Sequence, residues 1–435
     1  MAENNTLTDY HITVIKMGGT SQNLIPYQNV KSVISNLKQY NQKVFIVVSA
    51  LSKVTNLLFD NPIDCEEQLI NIHTNFIKTL GFSKDYQQEV INNIKFIINF
   101  VFSTTKKNDT IRICLGENLS SKILNSFLNY PQEHKIKSQV LLATQLIKFN
   151  SANQTLSSLI VEPKEIFNNF KNNNVIVTQG FIANNFKGHP VILMGRGSSD
   201  TSGAIFAKFL KAKQYQIWTD VNGVYNIDPK LTTKPIIFDK IDFNMAQEMA
   251  GMGAKVLHPY SIKPCQQENI PIILKSSFDL KNKGTLISNK SSSSPAFTLQ
   301  NNIWIIKIKT INMWHGVGFA SDIFNTFSKY KIDIDIITSS AFEITITTKL
   351  NNNIHLINKA ITVLQEKYKI TVFENCHQIS VIYPNIIGPL LNKIHQISTI
   401  YPVELEAISS NKYSISFIVQ KISDGKKLLL DLFTN

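Results

Sequence analysis

The feature that most constrains the fold is the alternation of short β-rich runs with helical patterns over the first 287 residues. Five apolar runs, at 11–17, 43–50, 174–180, 190–195 and 216–220, have the composition of buried strands. Helical patterns such as those at 120–130 and 201–213 lie between them. This alternation predicts an α/β sandwich with a mostly parallel sheet, in which ligands bind at the carboxyl ends of the strands.

The pattern changes after residue 287. Residues 288–296 are small and polar and end near a proline, which is typical of a linker. Five strand-like runs follow, among them 332–338, which would place Asp333 and Asp335 on one strand face. About four helical patterns accompany them, near 319–330, 354–368, 384–397 and 424–433. Together they predict two small ferredoxin-like βαββαβ units, in tandem or interleaved. We therefore predict a main domain at 1–287, a linker at 288–296 and two smaller units at 297–435.

Composition excludes several classes of function. The net charge is +13, but the lysines are dispersed and accompany no RNA- or DNA-binding motif, so we expect no nucleic-acid partner. The apolar stretches are too short to span a bilayer and the first residues do not resemble a signal peptide, so we expect a cytoplasmic protein with no membrane partner. Four dispersed cysteines predict buried thiols, and we expect no protein-held metal site.

The loop after the first run, KMGGTS at 16–21, has the composition of a phosphate-binding turn. Gly18 and Gly19 allow backbone N–H groups to approach a phosphate closely, and Lys16 can place an ammonium over the phosphoryl group. The loop lacks the GxxxxGK[ST] pattern of a Walker A motif. A plain strand-to-helix turn has a similar sequence, so the loop alone does not decide between the two.

Three further loops carry polar or small residues near predicted strand ends. Ser49 and Thr55 flank a turn into a helix, where a hydroxyl either caps the helix or binds a substrate. Glu117 follows a glycine at a predicted strand-to-helix junction, where a carboxylate either caps the helix or binds an amino group. Gly180 and Phe181 follow a buried run and form a fourth candidate loop.

The stretch MGRGSSDTSG at 194–203 contains Arg196, one of only two arginines among 44 basic residues. A helix start accounts for its glycines, hydroxyls and Asp200, but it does not account for an arginine in a chain that otherwise uses lysine. The guanidinium is a planar, two-pronged donor that matches a carboxylate, and lysine cannot replace it. We therefore expect Arg196 to bind a substrate carboxylate. The other arginine, Arg112, has no comparable setting and is assigned no role.

The stretch WTDVNGVYNIDPK, at 218–230, suits a nucleotide. Thr219 and Asp220 end a predicted strand, and a turn leads to Tyr225 and Lys230. A base can lie against the Tyr225 ring, with phosphates near the Lys230 ammonium.

The stretch EMAGMGAKVLHPYSI, at 248–262, predicts one amphipathic helix that carries Lys255. His258 precedes a proline, which favours a residue at a helix end over a base or a metal ligand.

Taken together and in this order, the loops resemble the aspartate kinase family of the amino-acid kinase superfamily. KMGGTS resembles the family's K-F-G-G-T-S, GRGSSDTSGA its G-R-G-G-S-D, TDVNGVYNIDPK its T-D-V-x-G-[IV]-Y-x-x-D-P-R, and GAKVLHP matches as it stands. In the tail, INMWHGVGFASDIF and IDIDIITSS resemble the first ACT regulatory domain of the lysine-sensitive, monofunctional branch. The resemblance covers nearly the whole chain from His11.

This resemblance implies an amino-acid-kinase-type αβα sandwich followed by two ACT domains. The implied reaction transfers the γ-phosphoryl group of ATP to the β-carboxylate of L-aspartate, with Mg²⁺ bridging the phosphates, in a homodimer or higher homo-oligomer.

The resemblance also assigns residues by position. The catalytic residues would be Lys16, Asp200 and Lys255. Aspartate would be bound by Ser49, Thr55, Glu117, Phe181, Arg196, Gly197, Ser199 and Asp200. ATP would be bound by Lys16, Gly18, Gly19, Thr20, Thr219, Asp220, Tyr225, Lys230, Lys255 and Val256. An amino-acid effector would be bound by Met313, Asp333, Asp335 and Ser340.

Two departures fall within the catalytic motifs: Ser198 replaces the second glycine of G-R-G-G-S-D, and Lys230 replaces an arginine. Two other functions stay open. One is a related kinase acting on glutamate or N-acetylglutamate, against which the GAKVLHP stretch and the ACT-like tail count. The other is a catalytically weakened amino-acid sensor, against which the intact Lys16, Glu117 and Asp200 count.

In the tail, Gly316 and Asp333 replace serines of lysine-sensitive members, and Ala341 replaces a glutamate. Asp335 and Ser340 match the pattern. Because a bound lysine needs carboxylates and hydroxyls around its charged groups, these changes predict weak or absent inhibition by lysine.

Overall fold

The computed structural model describes residues 10–37, 41–60, 65–106, 109–131, 136–151, 158–193, 198–254, 257–290, 294–310, 318–349, 354–383, 405–419 and 429–430. The chain divides into two compact units. The first unit comprises Met1–Val224, Ile237–Gln247 and Val256–Ser292, and the second comprises Tyr225–Ile236, Glu248–Lys255 and Ser293–Asn435. The predicted domain and linker bounds stay a prediction.

The first unit is built of strands and helices in alternation. Its strands are β1 (His11–Met17), β2 (Gln42–Val48), β3 (Ser138–Val140), β4 (Ile147–Phe149), β5 (Leu159–Val161), β6 (Val175–Gln179), β7 (Ile182–Asn184), β8 (Pro190–Ile192), β9 (Gln214–Thr219), β10 (Lys240–Asp242), β11 (Ile272–Ser276) and β12 (Thr285–Ser288). Its helices are α1 (Leu24–Ser35), α2 (Val54–Asp60), α3 (Glu66–Lys78), α4 (Lys84–Thr104), α5 (Thr110–Ile113), α6 (Leu115–Asn129), α7 (Ala143–Leu146), α8 (Pro163–Phe170), α9 (Ser198–Phe209), α10 (Phe243–Gly251, whose last residues belong to the second unit) and α11 (Pro259–Gln267).

Eight of these strands form one sheet in the order β10-β12-β11-β9-β1-β2-β6-β3. The neighbours β11, β9, β1, β2, β6 and β3 all run parallel. Met17 pairs with Val48 on one side and with Trp218 on the other, so three central strands end at the same edge. The α/β fold with a mostly parallel sheet is confirmed, and the loops that begin at Gly18, Ser49, Gly180 and Asp220 follow the carboxyl ends of β1, β2, β6 and β9.

The two faces of this sheet are covered by different helices. Ile15 and Met17 of β1 join a core with side chains of α1, α4 and α6, among them Tyr27, Ile94 and Leu124. On the opposite face α9 packs on β1, β2 and β9, with α11 against α9. Because side chains alternate along a strand, Lys16 points to the α9 face.

The predictions for residues 190–195 and 248–262 are wrong. The run at 190–195 was expected to be a buried strand of the parallel sheet, but β8 is half-buried and pairs antiparallel with β7 in a separate sheet, β5-β4-β7-β8. The stretch 248–262 does not form one helix, because α10 ends at Gly251 and α11 begins only at Pro259. His258 does lie at a helix end, where its Nδ1 accepts from the backbone N–H of Tyr260.

The second unit contains one six-stranded sheet in the order β14-β15-β13-β16-β18-β17. Its elements are β13 (Ala296–Lys309), α12 (Phe319–Lys329), β14 (Ile337–Ser339), β15 (Glu343–Lys349), α13 (Ile354–Gln365), β16 (Lys369–Ile382), β17 (Leu405–Ser410) and β18 (Ser414–Val419). The helices α12 and α13 cover Trp304, Ile306 and Ile346. The helices predicted near 384–397 and 424–433 lie outside the described residues, apart from helical Leu429 and Leu430.

The strand predicted at 332–338 is shorter than expected, since β14 begins at Ile337. The prediction that Asp333 and Asp335 share one face of a strand is therefore wrong, because both residues precede β14. They lie in an extended segment beside β15, where the Asp335 N–H donates to Thr347 O and the Thr348 hydroxyl donates to Asp333 O.

The four cysteines are buried, as predicted. Within the described ranges, no helix combines the length and apolarity that crossing a membrane requires.

Candidate active site

An ion pair between Lys16 and Asp200 occupies the carboxyl edge of the central strands. Lys16 is the penultimate residue of β1, and Asp200 lies in the first turn of α9, where the helix dipole favours a carboxylate. Their Nζ and Oδ1 atoms are 2.6 Å apart, and the side chains are 11% and 17% exposed. Because both charges are largely removed from water, each depends on the other for compensation.

The two glycines after β1 leave space beside this ammonium. A Cβ on Gly18 would lie 3.3 Å from Lys16 Nζ, and a Cβ on Gly19 would lie 3.0 Å from the carbonyl oxygen of Ala50. A side chain at position 18 would therefore fill the space beside the ammonium, and one at position 19 would crowd the loop after β2. A loop of bare backbone next to a lysine fits a phosphate group. Thr20 is exposed in the same turn, and α1 begins only at Leu24.

A hydroxyl pair that the sequence analysis missed joins this loop to the neighbouring strands. Ser21 Oγ donates to Ser277 Oγ at 2.8 Å, and Ser277 Oγ donates to the carbonyl oxygen of Thr219 at 3.0 Å. Thr219 Oγ1 in turn donates to Asp220 Oδ1 at 3.1 Å. One signal in the sequence could have identified Ser277: it directly follows a strand, β11, that is parallel to β9 and β1. Thr219 and Gly18 have the same kind of position, at or directly after the ends of β9 and β1.

Glu117 is a buried carboxyl at the start of α6. It follows the short helix α5 and not a strand, so the predicted strand-to-helix junction is wrong. Burial raises its pKa to about 8, opposed by hydrogen bonds from the Ala50 backbone and from Thr55, whose Oγ1 is 3.4 Å from Oε1. Its Oε2 has no hydrogen-bond partner among the described residues. A buried carboxyl with one free oxygen suits a cationic ligand group.

The turn at Gly180 and Phe181 packs closely on the start of α9. A Cβ on Gly180 would lie 2.7 Å from Ser199 Cβ, so this position requires a glycine. Phe181 is 2% exposed and has φ of 69°. Ser49, after β2, is half-buried, and its N–H donates to the carbonyl oxygen of Met17 at 3.0 Å. The structure thus brings the predicted residues of β1, β2, β6 and α9 to one edge of the sheet.

The other predicted residues lie in the second unit or outside the described residues. Tyr225 and Lys230 belong to the second unit, where Lys230 is exposed and its N–H donates to Asp228 Oδ1. Asp335 Oδ1 lies 3.4 Å from Lys349 Nζ, and Ser340 is exposed at the end of β14. The remaining predicted site residues, which lie outside the described part of the chain, are Arg196, Gly197, Lys255, Val256 and Met313.

Arg112 has a role in packing that the sequence analysis missed. It is buried, and its guanidinium donates to the carbonyl oxygens of Phe102 and Thr105 and to Thr105 Oγ1. It also lies 4.5 Å from the centre of the Phe102 ring. Several donors in one plane, stacked on an aromatic ring, require an arginine.

Over the described ranges, no group of three or more His, Cys, Asp or Glu side chains is placed to bind a metal ion.

This parallel sheet, with a glycine loop and a lysine at its carboxyl edge, defines a kinase of the amino-acid-kinase type. The chain belongs to the amino acid kinase family, whose model matches residues 11–276.

Among individual proteins, the chain is similar to lysine-sensitive aspartokinase 3 of Escherichia coli, at 29% identity over 360 residues, 77% of this chain and 78% of that protein. It is also similar to the bifunctional aspartokinase/homoserine dehydrogenase of Buchnera aphidicola, at 30% identity, covering 94% of this chain and 54% of that protein. The crystal structure of E. coli aspartokinase III with aspartate and ADP superposes with a TM-score of 0.79 at 23% identity, covering 97% and 99% of the two chains. The chain therefore has the fold of that protein.

Proposed function

We propose that the chain is an aspartate kinase that transfers the γ-phosphoryl group of ATP to the β-carboxylate of L-aspartate, at the start of lysine, methionine and threonine synthesis. The observation that carries this proposal is the ion pair of Lys16 and Asp200 beside bare backbone at Gly18 and Gly19. The aspartokinases among its relatives favour aspartate as the acceptor.

ATP fits the glycine loop by its phosphates. Lys16 supplies positive charge where the transferred group becomes more negative, and preorganised charge of this kind is a large part of phosphoryl-transfer catalysis. Asp200 holds the ammonium in place through the 2.6 Å ion pair. Thr219, Asp220, Tyr225, Lys230, Lys255 and Val256 complete the proposed nucleotide site.

Mg²⁺ accompanies ATP in this proposal and would be held mainly through phosphate oxygens. Magnesium keeps several waters and uses few protein ligands in such sites. Asp200 and Asp220, near the edge of the sheet, would orient the ion indirectly. The ion supplies charge neutralisation for the phosphates.

Aspartate fits the other side of the cluster. Glu117 has a free oxygen for the α-ammonium group, with Thr55 beside it. We assign Arg196 to a carboxylate of aspartate because the fork of a guanidinium matches it. Ser49, Phe181, Gly197 and Ser199 would shape the remaining walls of this site.

The alternative functions are a kinase for N-acetylglutamate or glutamate and a sensor without catalysis, and each fits the described residues less well than an aspartate kinase. N-acetylglutamate has no ammonium group, so its binding would leave the buried Glu117 carboxyl without a cation. Glutamate would require room for one more methylene. A sensor without catalysis does not require the Lys16–Asp200 pair.

The finer assignments are also proposals. We propose a cytoplasmic homodimer or higher homo-oligomer, with an amino-acid effector bound in the second unit near Met313, Asp333, Asp335 and Ser340.

A coupled assay of ADP formation tests the acceptor. We expect ADP release with aspartate and at least tenfold lower kcat/KM with glutamate or N-acetylglutamate, about the discrimination that one methylene allows. Equal or higher kcat/KM with either alternative acid would contradict the proposal.

A further inference from the structure

The turn at Phe181 holds a strained backbone conformation. A φ of 69° lies in the left-handed region, which non-glycine residues rarely adopt without external support. Two hydrogen bonds fix this residue: its N–H donates to Ser202 Oγ at 3.0 Å, and its carbonyl oxygen accepts from the N–H of Leu193 at 2.8 Å. The conformation of this turn therefore depends on a hydroxyl from α9.

The same hydroxyl also bonds to the first turn of α9. Ser202 is 1% exposed, and its Oγ donates to the carbonyl oxygen of Ser198 at 3.1 Å while it accepts from Phe181. Ser199 lies between these points, in contact with the position where Gly180 lacks a side chain. One buried hydroxyl thus joins the turn after β6 to the helix that carries Ser199 and Asp200.

We propose that Ser202 is a positioning residue for the acceptor site: it fixes the Phe181 turn against the first turn of α9. The role rests on the proposed function, in which Phe181 and Ser199 line the acceptor site, and Ser202 acts through them. The glycine loop is held by different contacts, from Gly18 N–H to the carbonyl oxygen of Trp218 and from Ser21 Oγ to Ser277 Oγ. Loss of the Ser202 hydroxyl should therefore affect the acceptor and leave ATP binding unchanged.

The neighbouring residue provides a matched control. Thr201 is as deeply buried as Ser202, on the same helix turn, and its Oγ1 has no hydrogen-bond partner among the described residues. Ser202→Ala and Thr201→Val each delete one buried hydroxyl, but only the first removes the bonds to Phe181 and Ser198. Ser202→Thr retains the hydroxyl and serves as the conservative variant.

The experiment combines kinetics with hydrogen exchange on the full chain. For Ser202→Ala we expect an aspartate KM about three- to tenfold higher, as for loss of a typical buried hydrogen bond, with the ATP KM within about twofold. We also expect faster exchange at the Phe181 amide. Thr201→Val and Ser202→Thr should retain the wild-type aspartate KM and the wild-type exchange. If Ser202→Ala does not fold, Ser202→Cys, whose thiol is a weaker hydrogen-bond partner, replaces it.

Three results would overturn the proposal: unchanged exchange at Phe181 in Ser202→Ala, equal rises in both KM values, or the same change in Thr201→Val. Activity of the wild type with aspartate, glutamate and N-acetylglutamate distinguishes a failure of this proposal from a failure of the proposed function. If the wild type uses another acid, the KM of that acid is measured instead. If the wild type phosphorylates none of these acids, hydrogen exchange at the Phe181 amide alone tests whether Ser202 fixes the turn.

Discussion

At the scale of single residues, Glu117 predicts a pH dependence of substrate binding. Burial raises its pKa to about 8, so the carboxyl is largely protonated at neutral pH before ligand binds. Binding an ammonium group requires the carboxylate, so a proton must be released. Because this folded-state pKa lies above the unfolded value, the ligand-free protein also loses stability as pH rises from about 4 to about 8.

We therefore expect the aspartate KM to fall as pH rises from about 6 to about 8, by up to tenfold per unit, and then to level off. Glu117→Gln should raise the KM at pH 8 and abolish this dependence. Steady-state kinetics across this range measure both effects. A wild-type KM that is independent of pH would show that Glu117 does not bind the ammonium.

Lys16→Met should act on the chemical step. The ammonium stabilises charge that develops during transfer, so we expect kcat to fall by about 10²–10³, as for the loss of one electrostatic donor. The variant also leaves Asp200 without its partner and should lose stability, so its folding is checked, with the exposed Lys187→Met as a control for loss of one lysine. A near-normal kcat with a raised ATP KM would show that Lys16 contributes only to ATP binding.

At the scale of elements, substitution of the two arginines should have different effects: one variant should lose stability and the other should bind aspartate less tightly. Arg112 bonds to residues 102 and 105, at and just past the end of α4, and a lysine cannot supply these donors together. Arg112→Lys should lower the free energy of unfolding by about 1–3 kcal/mol with unchanged kinetics. Arg196→Lys should raise the aspartate KM, with the ATP KM and the stability unchanged.

Denaturant unfolding and kinetics on both variants check this prediction. An aspartate KM within about twofold of the wild type in Arg196→Lys, under ~0.5 kcal/mol, would refute the carboxylate role. Unchanged stability in Arg112→Lys would refute the packing role.

The helix α3 carries an acid-sensitive group, His73. Burial lowers its pKa to about 4, its Nδ1 is 2.7 Å from the carbonyl oxygen of Leu69, and its Nε2 has no partner among the described residues. The unfolded chain binds this proton more readily, so stability is lost as pH falls from about 6.5 to about 4. We expect the wild type to lose about 2 kcal/mol more than His73→Leu between pH 7 and pH 5. Equal losses in urea unfolding at the two pH values would contradict this.

The sequence predicts elements well where a pattern is local. The strand at 11–17 has the predicted bounds, and helices α9, α12 and α13 lie where helical spacing indicated. The break between α10 and α11 was missed because a Gly-Ala-Lys stretch also suits a helix. Gly253 has φ of 97°, and a Cβ there would lie 2.6 Å from Gln300 Cγ. Packing against a distant strand decides this conformation.

Some residues of the candidate site can likewise be predicted from a local pattern, and others cannot. Residues at or directly after the carboxyl ends of parallel strands, such as Lys16, Gly18 and Thr219, could be identified by position alone. The contact of Ser21 with Ser277 spans 256 positions, and no local pattern indicates it. The burial of Glu117 and the double hydrogen bond of Ser202 likewise depend on how distant segments meet.

At the scale of the whole molecule, regulation should differ from that of lysine-sensitive kinases. Asp335, the carboxylate that a lysine effector would need in the proposed site, lies 3.4 Å from Lys349 Nζ. The chain's own ammonium thus competes with that of the effector, and Ala341 offers no second carboxylate. Losing charged hydrogen bonds costs roughly 1.5–3 kcal/mol each, which weakens binding by about ten- to a hundredfold.

We therefore expect weak or absent inhibition of kinase activity by lysine. Lys349→Met should lower the lysine concentration for half-inhibition, because Asp335 then lacks its internal partner. A lysine titration of both proteins measures this. Half-inhibition of the wild type below millimolar lysine would show that the substituted site still binds lysine.

The most direct test of the central claim is chemical identification of the product. Incubation with ATP, Mg²⁺ and aspartate in the presence of hydroxylamine converts an acyl phosphate into a hydroxamate, whose position mass spectrometry can assign. We expect the β-hydroxamate of aspartate, formed in step with ADP and absent in Lys16→Met. Formation of a glutamate or N-acetylglutamate hydroxamate in preference, or none with aspartate from folded protein, would contradict the assignment as an aspartate kinase.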